Sequence, residues 1–403
     1  MSPLPSRRSF LENLGAASLG ALAAERLAGS ASAQPPDAKI LGAEGVKTSK
    51  RPKKVWQPIS DRKIRVGIVG YGVCQFGAAF GFQDHPNVTV AAVSDLIPER
   101  CAGLARACRC SKTYPSLEEL VKDDSLEAVF VATDAPSHAR HCIEVVKHGK
   151  HVACAVPAVY GSLEDAEKLF EAIRSSGKKY MMFETSAYHE DCHAMRQVYR
   201  AGGFGKLVYS EGEYYHYMAT PIDSFKGWRI GGPPQWYPTH ATAYYGCVTG
   251  GSFTEVTCQG MPSIVKELQP QNNRYKNPFG TEIALFRTSE GGMSRMGISW
   301  DTHVPGLESG RVYGQRGYMV GTNYTGDERK LPDLERPALP PSVDPGGHGG
   351  SHGHLMNEFV TAILEDRTPL VDIAMALNLT VPGVIAHQSA LKNGETLKIP
   401  QFA

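Results

Sequence analysis

Two tyrosine–histidine pairs are the side chains of this sequence best suited to acid–base chemistry. Tyr214 and His216 are two residues apart in GEYYHYM, a stretch with strand character, so alternation points both side chains to one face. Tyr237 and His240 lie in WYPTHATAYY, in a proline-containing loop or at a helix start. Imidazole titrates near neutrality, and a phenol beside cations can become acidic enough to exchange a proton. The alternative is that these rings only pack in a core.

Three further histidines, His348, His352 and His354, lie in GGHGGSHGHLMNEF at the start of a predicted helix. The His-x3-His spacing would place two imidazoles on one helical face, which would suit a metal. No carboxylate or cysteine accompanies them, so we predict no metal and expect His348 to order a loop or contact the substrate. Trp228 and Trp236 are further substrate candidates because indole rings stack on the apolar faces of sugars, although core packing fits them equally well.

A glycine-containing turn indicates a dinucleotide. Gly70-Tyr71-Gly72 directly follows the strand IRVGIVG, where glycine permits a tight turn and a close approach to a pyrophosphate at the next helix N-terminus. The G-x-G-x-x-G fingerprint is incomplete, since its third position is Gln75. The next strand ends at Asp95, whose carboxylate would accept from a ribose hydroxyl and disfavour a 2′-phosphate, so we predict NAD rather than NADP. A flavodoxin-like sheet without a nucleotide is the alternative.

The elements that position this turn alternate as parallel βαβ units require. Amphipathic helical stretches separate the short β-branched runs IRVGIVG, VTVAAVSD, AVFVAT and HVACAV. Ser162 and Asp165 are spaced like a capping box for the helical stretch LEDAEKLFEAIRSS. The pattern predicts an α/β fold that begins with a nucleotide-binding domain built on a parallel sheet.

Length and composition narrow the class of protein. A chain of 403 residues is long enough for two domains. Its formal net charge of +1, with acids and bases evenly mixed, attracts neither nucleic acid nor an anionic membrane, and favours a small neutral ligand. The nine cysteines do not have redox or zinc spacing, and disulfide frameworks are typical of small secreted domains, so we expect reduced, mostly buried thiols.

The N-terminus resembles a twin-arginine export signal. Residues 1–33 contain Arg7-Arg8, a weakly apolar run and the small-residue cleavage site Ala31-Ser32-Ala33. The apolar run is too short to span a bilayer, so we expect no membrane span. We expect a periplasmic or otherwise extracytoplasmic protein, with residues 34–60 as a linker or arm; a merely basic N-terminus is the alternative.

Three stretches together resemble the Gfo/Idh/MocA family of NAD(P)-dependent, sugar-acting oxidoreductases: VSDLIPER, TDAPSHARHCIEVVKHGKHV and NEFVTAILEDRTPLVDIAMALNLTVPGVIAHQSALKNGE. The resemblance implies a Rossmann domain over residues 61–185 and an α/β domain over 186–403 with a large open, mostly antiparallel sheet that binds a carbohydrate. It also implies a homo-oligomer, either a dimer or a tetramer. The cofactor-binding residues expected on this basis are Gly70, Gly72, Val73, Asp95, Arg100, Thr133, His138 and Pro157.

One departure narrows the resemblance. Dehydrogenases of the family usually have E-K-P, with a catalytic lysine, where this chain has Ala155-Val156-Pro157. The motifs M-M-x-E, G-x-Y-x-H and Y-P-T-H are similar to those of NAD-dependent glycoside hydrolases of the α-N-acetylgalactosaminidase type, which also lack that lysine. Those enzymes often carry Asp in place of His352, which leaves the sugar open. By position, the implied catalytic residues are Glu184, Tyr214, His216, Tyr237 and His240.

The hydrolase resemblance implies a redox-neutral cycle with tightly bound NAD: oxidation at C3 of the sugar, loss of the C2 proton, elimination of the C1 substituent, addition of water, and reduction of C3. Such a cycle returns NAD⁺ to its starting state, which would let a folded enzyme work after export. We expect His240 with Glu184 to serve the C3 hydroxyl, and Tyr214 with His216 to serve the C2 proton or the water. The alternatives are an exported sugar oxidoreductase that recycles its cofactor on a second sugar, and a non-catalytic carbohydrate-binding relative.

Overall fold

The computed structural model describes residues 54–304, 306–327 and 331–403. The predicted signal, residues 1–33, and residues 34–53 of the predicted arm lie outside the described residues. Residues 54–60 have no regular secondary structure and lead directly into the first strand.

The first sheet is made of apolar, β-branched runs that are largely buried, as parallel strands between helix layers must be. Its strands are β1 (Ile64–Val69), β2 (Val88–Ser94), β3 (Thr113–Tyr114), β4 (Ala128–Val131), β5 (His151–Cys154) and β6 (Tyr180–Met182). They lie in the order β3-β2-β1-β4-β5-β6, and all pair in parallel. The predicted Rossmann sheet is therefore confirmed. The short strands β3 and β6 are additions to the four predicted from sequence.

Helices connect these strands. They are α1 (Phe76–Ala79), α2 (Pro98–Ala107), α3 (Leu117–Leu120), α4 (His138–Lys147) and α5 (Leu163–Ser176). The hydroxyl of Ser162 accepts a hydrogen bond from the Asp165 N–H at 3.0 Å, so the predicted cap of α5 is present. The helix after the glycine turn, α1, has only four residues.

The second sheet is mixed but mostly antiparallel, as expected. Its strands are β7 (Leu207–Tyr215), β8 (Phe253–Pro262), β9 (Phe279–Thr288), β10 (Met293–Ser299), β11 (Leu307–Gly314), β12 (Gly317–Val320), β13 (Asn323–Gly326) and β14 (Leu397–Lys398). The order is β13-β12-β11-β7-β10-β9-β8-β14, with only the central pair β7 and β10 parallel. Side chains on alternate positions of β7 are buried, so one face of the sheet is covered.

The remaining described helices are α6 (Glu190–Arg200), α7 (Thr239–Thr249), α8 (Gly347–Gly350), α9 (His352–Leu364) and α10 (Ile373–Leu391). The long helix α10 brings the C-terminal part of the chain back to the first sheet, where the Met182 N–H donates to the Val371 carbonyl at 3.0 Å. Over the described part of the chain, none of the helices combines the length and apolarity that crossing a membrane requires.

A pair of glycines lets α7 lie directly on the covered face of the second sheet. Gly212 of β7 and Gly310 of β11 are register partners. A Cβ on Gly212 would lie 2.1 Å from the Ala241 carbonyl oxygen, and one on Gly310 would lie 2.1 Å from the Tyr244 ring. Two residues along the same strands, Tyr214 pairs with Glu308. The close helix contact therefore brings the first turn of α7 next to this pair, and with it His240.

Candidate active site

A first cleft runs along the carboxyl ends of β1, β2 and β4, which is where a doubly wound sheet binds its ligand. Its wall includes the loop from Gly70 to Phe76 and the loops that follow β2 and β4. Of the predicted cofactor residues, those that line the cleft are Gly70, Gly72, Val73, Asp95, Arg100 and Thr133.

The glycine loop has the shape that a pyrophosphate needs. Gly70 has φ 103°, and a Cβ there would lie 2.3 Å from the Ala132 carbonyl oxygen. A Cβ on Gly72 would meet no atom within 4 Å, because this backbone faces open space that a side chain would fill. Gly77, two residues later than in the fingerprint, supplies the close packing: its Cβ would lie 2.3 Å from the Gly70 oxygen. The helix expected to bind the phosphates at its N-terminus is α1, which has only four residues. The backbone of the glycine loop is therefore the part of the chain that fits the phosphates.

Asp95 is held at the adenosine end of the first cleft. Its two carboxylate oxygens accept from the Tyr71 N–H at 2.7 Å and the Ile97 N–H at 2.9 Å. Each oxygen keeps a lone pair for a ribose hydroxyl, so the residues present fit NAD.

Two predicted cofactor residues occupy a different place. His138 is 1% exposed, and its ring nitrogens lie 2.8 Å from the Pro157 carbonyl oxygen and 3.1 Å from that of Thr133. Neither His138 nor Pro157 lines the first cleft. The expectation of direct contact is therefore corrected: these residues support the cleft wall from behind.

A second cleft of about 550 Å³ lies between the first sheet and α7, and shares the wall residues Cys74, Phe76 and Arg229 with the first. This volume suits a sugar-sized ligand. The predicted residues that line it are Tyr214, His216, Tyr237, His240 and His348. Glu184 lies immediately behind this lining, against His240.

Glu184 and His240 form a buried pair. Glu184 is 0% exposed and His240 is 3% exposed, with the carboxylate Oε1 at 2.8 Å from the ring Nδ1. Burial disfavours both charges, but mutual attraction outweighs it: the pKa of Glu184 is lowered, and that of His240 is raised to about 9. Because Glu184 occupies Nδ1, the other ring nitrogen, Nε2, is the one available to a ligand in the second cleft.

The tyrosines contradict the expected acidification. Burial raises the pKa of Tyr214 well above its usual value, and raises that of Tyr237 to about 12, even though Arg229 opposes both shifts. Tyr214 packs edge-on against His240 with ring centres 4.6 Å apart, and the Tyr237 hydroxyl donates to the Val156 carbonyl at 3.2 Å. Both phenols are therefore protonated hydrogen-bond donors rather than acids near neutral pH.

His216 follows β7 and faces the same cleft as Tyr214, with ring centres 6.2 Å apart. Burial lowers the pKa of His216, and the positive charge of Arg229 lowers it further. Its Nδ1 is buried without a hydrogen-bond partner among the described residues. His216 is thus a neutral imidazole that can accept a proton.

Glu308 is a cleft residue that sequence reasoning missed. Its Oε2 lies 3.3 Å from His189 Nε2, and it accepts a hydrogen bond from the Ser186 hydroxyl at 3.2 Å. The same oxygen is 3.8 Å from His240 Nδ1. No motif marks this residue in the sequence; only its pairing with Tyr214 across β7 and β11 could have found it.

His348 lies in the short segment α8, where its own backbone is left-handed with φ 48°, so it shares no helical face with His352 of α9. Its Nδ1 is 2.9 Å from His352 Nε2, and His352 Nδ1 is 3.2 Å from the Ala79 carbonyl oxygen. Since that carbonyl needs a donor, His352 carries its proton on Nδ1 and accepts from His348 Nδ1–H. Burial lowers the pKa of both rings, so His348 presents a neutral Nε2 4.0 Å from Glu308.

The other aromatic candidates lie outside the second cleft. Trp228 lines the first cleft, and the guanidinium of Arg229 stacks on the Trp228 ring. Trp236 packs against Tyr160, Tyr275 and His387, and lines neither cleft, so the sugar-stacking role does not fit it.

Within the described residues, no group of three or more His, Cys, Asp or Glu side chains is arranged to hold a metal. All nine cysteines are unpaired, and seven of them are buried.

Comparison with known proteins gives three findings. Residues 64–184 match the Gfo/Idh/MocA family profile, described as an oxidoreductase family with an NAD-binding Rossmann fold. A glycosyl hydrolase family 109 protein of Bacteroides fragilis is 31% identical over 162 residues, which are 38% of this chain and 35% of that protein. The chain thus spans about a third of this relative's length. A family 109 protein of Solibacter usitatus is 24% identical over 388 residues, 84% of this chain and 88% of that protein.

Solved structures share the fold over most of the chain. An oxidoreductase domain protein from Kribbella flavida has a TM-score of 0.69 at 20% identity, and covers 84% of this chain and 100% of its own. Levoglucosan dehydrogenase in complex with NADH has a TM-score of 0.69 at 16% identity, covering 85% and 100% respectively. At these identities the likeness establishes the fold alone. Residues 64–184 are therefore similar to the NAD-binding Rossmann domain of the Gfo/Idh/MocA oxidoreductase family.

Proposed function

We propose that this protein is an NAD-dependent glycoside hydrolase that oxidises and re-reduces its sugar within one catalytic cycle. The observation that carries the proposal is the Glu184–His240 pair, because His240 lines the second cleft. The second cleft shares part of its wall with the first cleft, which fits NAD. Relatives named glycosyl hydrolase family 109 support the same conclusion.

The bound cofactor would supply a hydride acceptor at C3 of the sugar and return the hydride at the end of the cycle. His240 Nε2 accepts the proton of the C3 hydroxyl, and Glu184, at 2.8 Å from Nδ1, stabilises the imidazolium that forms. In the reverse step the same imidazolium gives the proton back. Since the pair is buried, water does not compete for the proton.

The proton at C2 requires a second base. His216 is neutral and faces the cleft, and its Nδ1 has no hydrogen-bond partner among the described residues, so it suits this step. Tyr214 stays protonated, and its hydroxyl donates to the ketone oxygen or the entering water. The departing C1 substituent needs a proton, and the imidazolium that His216 becomes after taking the C2 proton can supply it. Glu308 and His348, which line the same cleft, are available as acceptors for the hydroxyls of the sugar or for the entering water.

The missing lysine supports this division of roles. Ala155 and Val156, where dehydrogenases of the family have Glu and Lys, line the second cleft with apolar surface. The Val156 carbonyl accepts from the Tyr237 hydroxyl, which fixes Tyr237 in the same wall. With no lysine at that place, His240 is the group that can serve the hydroxyl.

Export and assembly complete the proposal. We infer from residues 1–33 that the folded protein leaves the cytoplasm through the twin-arginine route with its NAD already bound. We also infer that the outer face of the second sheet binds a second copy, because large apolar side chains there are 40–57% exposed. These side chains are Val208, Leu285, Met293, Tyr318 and Val320.

The test is to purify the full chain without added cofactor, identify any bound dinucleotide, and incubate the protein with nitrophenyl α- and β-glycosides in D₂O. The expected result is release of nitrophenol, deuterium at C2 of the sugar product, and no accumulation of NADH. Bound NAD with a sugar that is oxidised or reduced, and with no nitrophenol released, would instead make the protein a sugar oxidoreductase. Neither reaction, with sugar binding retained, would indicate a binding protein.

A further inference from the structure

Arg229 is the positive charge that the proposed cycle does not use. It lines both clefts, and its guanidinium stacks on Trp228, 4.3 Å from the ring centre, and lies 5.6 Å from that of Tyr237. The residue is half-buried, and its backbone N–H donates to the Ser224 hydroxyl at 3.1 Å. The side chain is therefore held in place at the junction of the two clefts.

The Arg229 guanidinium lacks a counter-charge in the part of the chain that the structure describes. Among the described residues, none of the ion pairs found involves Arg229, and its strongest electrostatic neighbours are the phenols of Tyr237 and Tyr214. Arg367 shows the contrast: it is also half-buried, but its two terminal nitrogens lie 2.6 and 2.8 Å from the two oxygens of Glu358. A half-buried arginine normally has such a partner.

The carboxylates of the second cleft cannot supply that partner. Glu184 is bound to His240 and to the Ser186 N–H, both at 2.8 Å. Glu308 is bound to Ser186 and lies beside His189. Among the described residues, the ion pairs of these two acids are with histidines and not with Arg229. The charge of Arg229 instead lowers the pKa of His216.

We propose that Arg229 binds an anionic substituent of the sugar, so that the substrate is an acidic glycoside carrying a carboxylate or a sulfate ester. The planar fork of a guanidinium matches the oxygens of either group, and stacking on Trp228 fixes the plane of that fork. This inference rests on the proposed function for the identity of the cleft, and it departs from the neutral ligand that the even net charge favours. A local charge without a partner outweighs that global balance.

The experiment measures binding by calorimetry to the NAD-loaded full chain, using glucuronate, galacturonate, glucose 6-sulfate, glucose and galactose. The wild type should bind at least one acidic sugar about tenfold or more tightly than its neutral counterpart, and added salt should weaken only the acidic sugars. Arg229→Met should remove that preference, and Arg229→Lys should retain part of it. The matched control is Arg274→Met, which removes an arginine stacked on Tyr275 outside both clefts and should leave the preference intact.

A parallel titration of NAD separates the two sources of an anion near Arg229. Unchanged NAD affinity in Arg229→Met, with the acidic preference lost, supports the proposal. Weakened NAD affinity with the sugar preference unchanged would assign Arg229 to the cofactor phosphates and overturn it. Equal binding of acidic and neutral sugars by the wild type would overturn it without any variant. Acidic preference without glycoside cleavage would refute the hydrolase alone, whereas cleavage without acidic preference would refute only this inference.

Discussion

Two buried glutamate–histidine pairs in this molecule have nearly the same geometry and different surroundings. Glu184 and His240 are 2.8 Å apart at the second cleft, whereas Glu282 and His387 are 2.7 Å apart inside the second domain. Both glutamates are 0% exposed. In the inner pair, Glu282 Oε2 also accepts from the Gln235 N–H at 2.8 Å, which ties down the loop ahead of Tyr237.

The two pairs differ in how many of their polar atoms have a hydrogen-bond partner. Both oxygens of Glu282 have partners, and Trp236 and Phe279 pack against the ring of His387. At the cleft, Glu184 Oε2 has no partner among the described residues, and His240 borders the open space. The Glu282–His387 pair, whose polar groups have partners, stabilises the fold. The Glu184–His240 pair keeps polar atoms free for a ligand, so it can take part in chemistry.

Exchange of each histidine for alanine should separate the two pairs most sharply. We expect His240→Ala to lower kcat by about 10³-fold or more, because the proton acceptor at C3 is lost, with NAD still bound. We expect His387→Ala to lower the free energy of unfolding by about 3–5 kcal/mol, since it leaves a buried carboxyl unpaired. Urea unfolding, NAD titration and steady-state rates on both variants measure this.

The inner variant also serves as the control for the outer one. His387→Ala should keep nearly full kcat per folded molecule below its unfolding transition. A loss of activity in His387→Ala as large as that in His240→Ala would remove the distinction between the two pairs.

The second contrast uses glutamine in place of each glutamate. Glu184→Gln keeps the shape but removes the charge that stabilises the imidazolium, so we expect kcat to fall about 100-fold. Glu282→Gln should change kcat only a few-fold, because its amide oxygen can still accept from Gln235. Equal effects of the two substitutions on kcat would contradict the assigned roles.

The pH dependence gives a separate test of the cleft pair. The pKa of His240 is raised to about 9, so in the free enzyme the neutral, proton-accepting form increases as pH rises toward that value. We therefore expect kcat/KM of the wild type to rise with pH up to about 9. In Glu184→Gln the raising charge is gone, so this limb should move to lower pH. A limb in the same place in both proteins would mean that it belongs to another group.

More of the fold than of the site could be predicted from the sequence. Alternating β-branched runs and helical stretches predict the parallel sheet, and the Ser162 cap is where the spacing puts it. The two-residue strand β3 was not predicted, because its two residues carry no pattern of their own. The four-residue α1 after the glycine turn also departs from the expected helix.

In the site, the strand alternation of Tyr214 and His216 and the Y-P-T-H turn place four side chains on one cleft, as expected. Glu308 and the His348–His352 contact depend on strand register and on a left-handed turn, neither of which has a local sequence signal. Protonation states could not be predicted from the sequence either. Burial, which only the packed structure defines, raises the pKa of Tyr214, whereas we expected it to be lowered.

The smallest expected effect concerns Tyr214 as a donor. Because its phenol stays protonated, Tyr214→Phe should remove one hydrogen bond to the reacting sugar and lower kcat/KM only about tenfold, equally at all pH values below 9. Tyr215→Phe, on the opposite face of the same strand, is the matched control and should have no effect. If Tyr214 were instead the C2 base, its loss would abolish deuterium incorporation at C2 altogether. The rate of that incorporation in the two variants therefore decides between a base and a donor at this position.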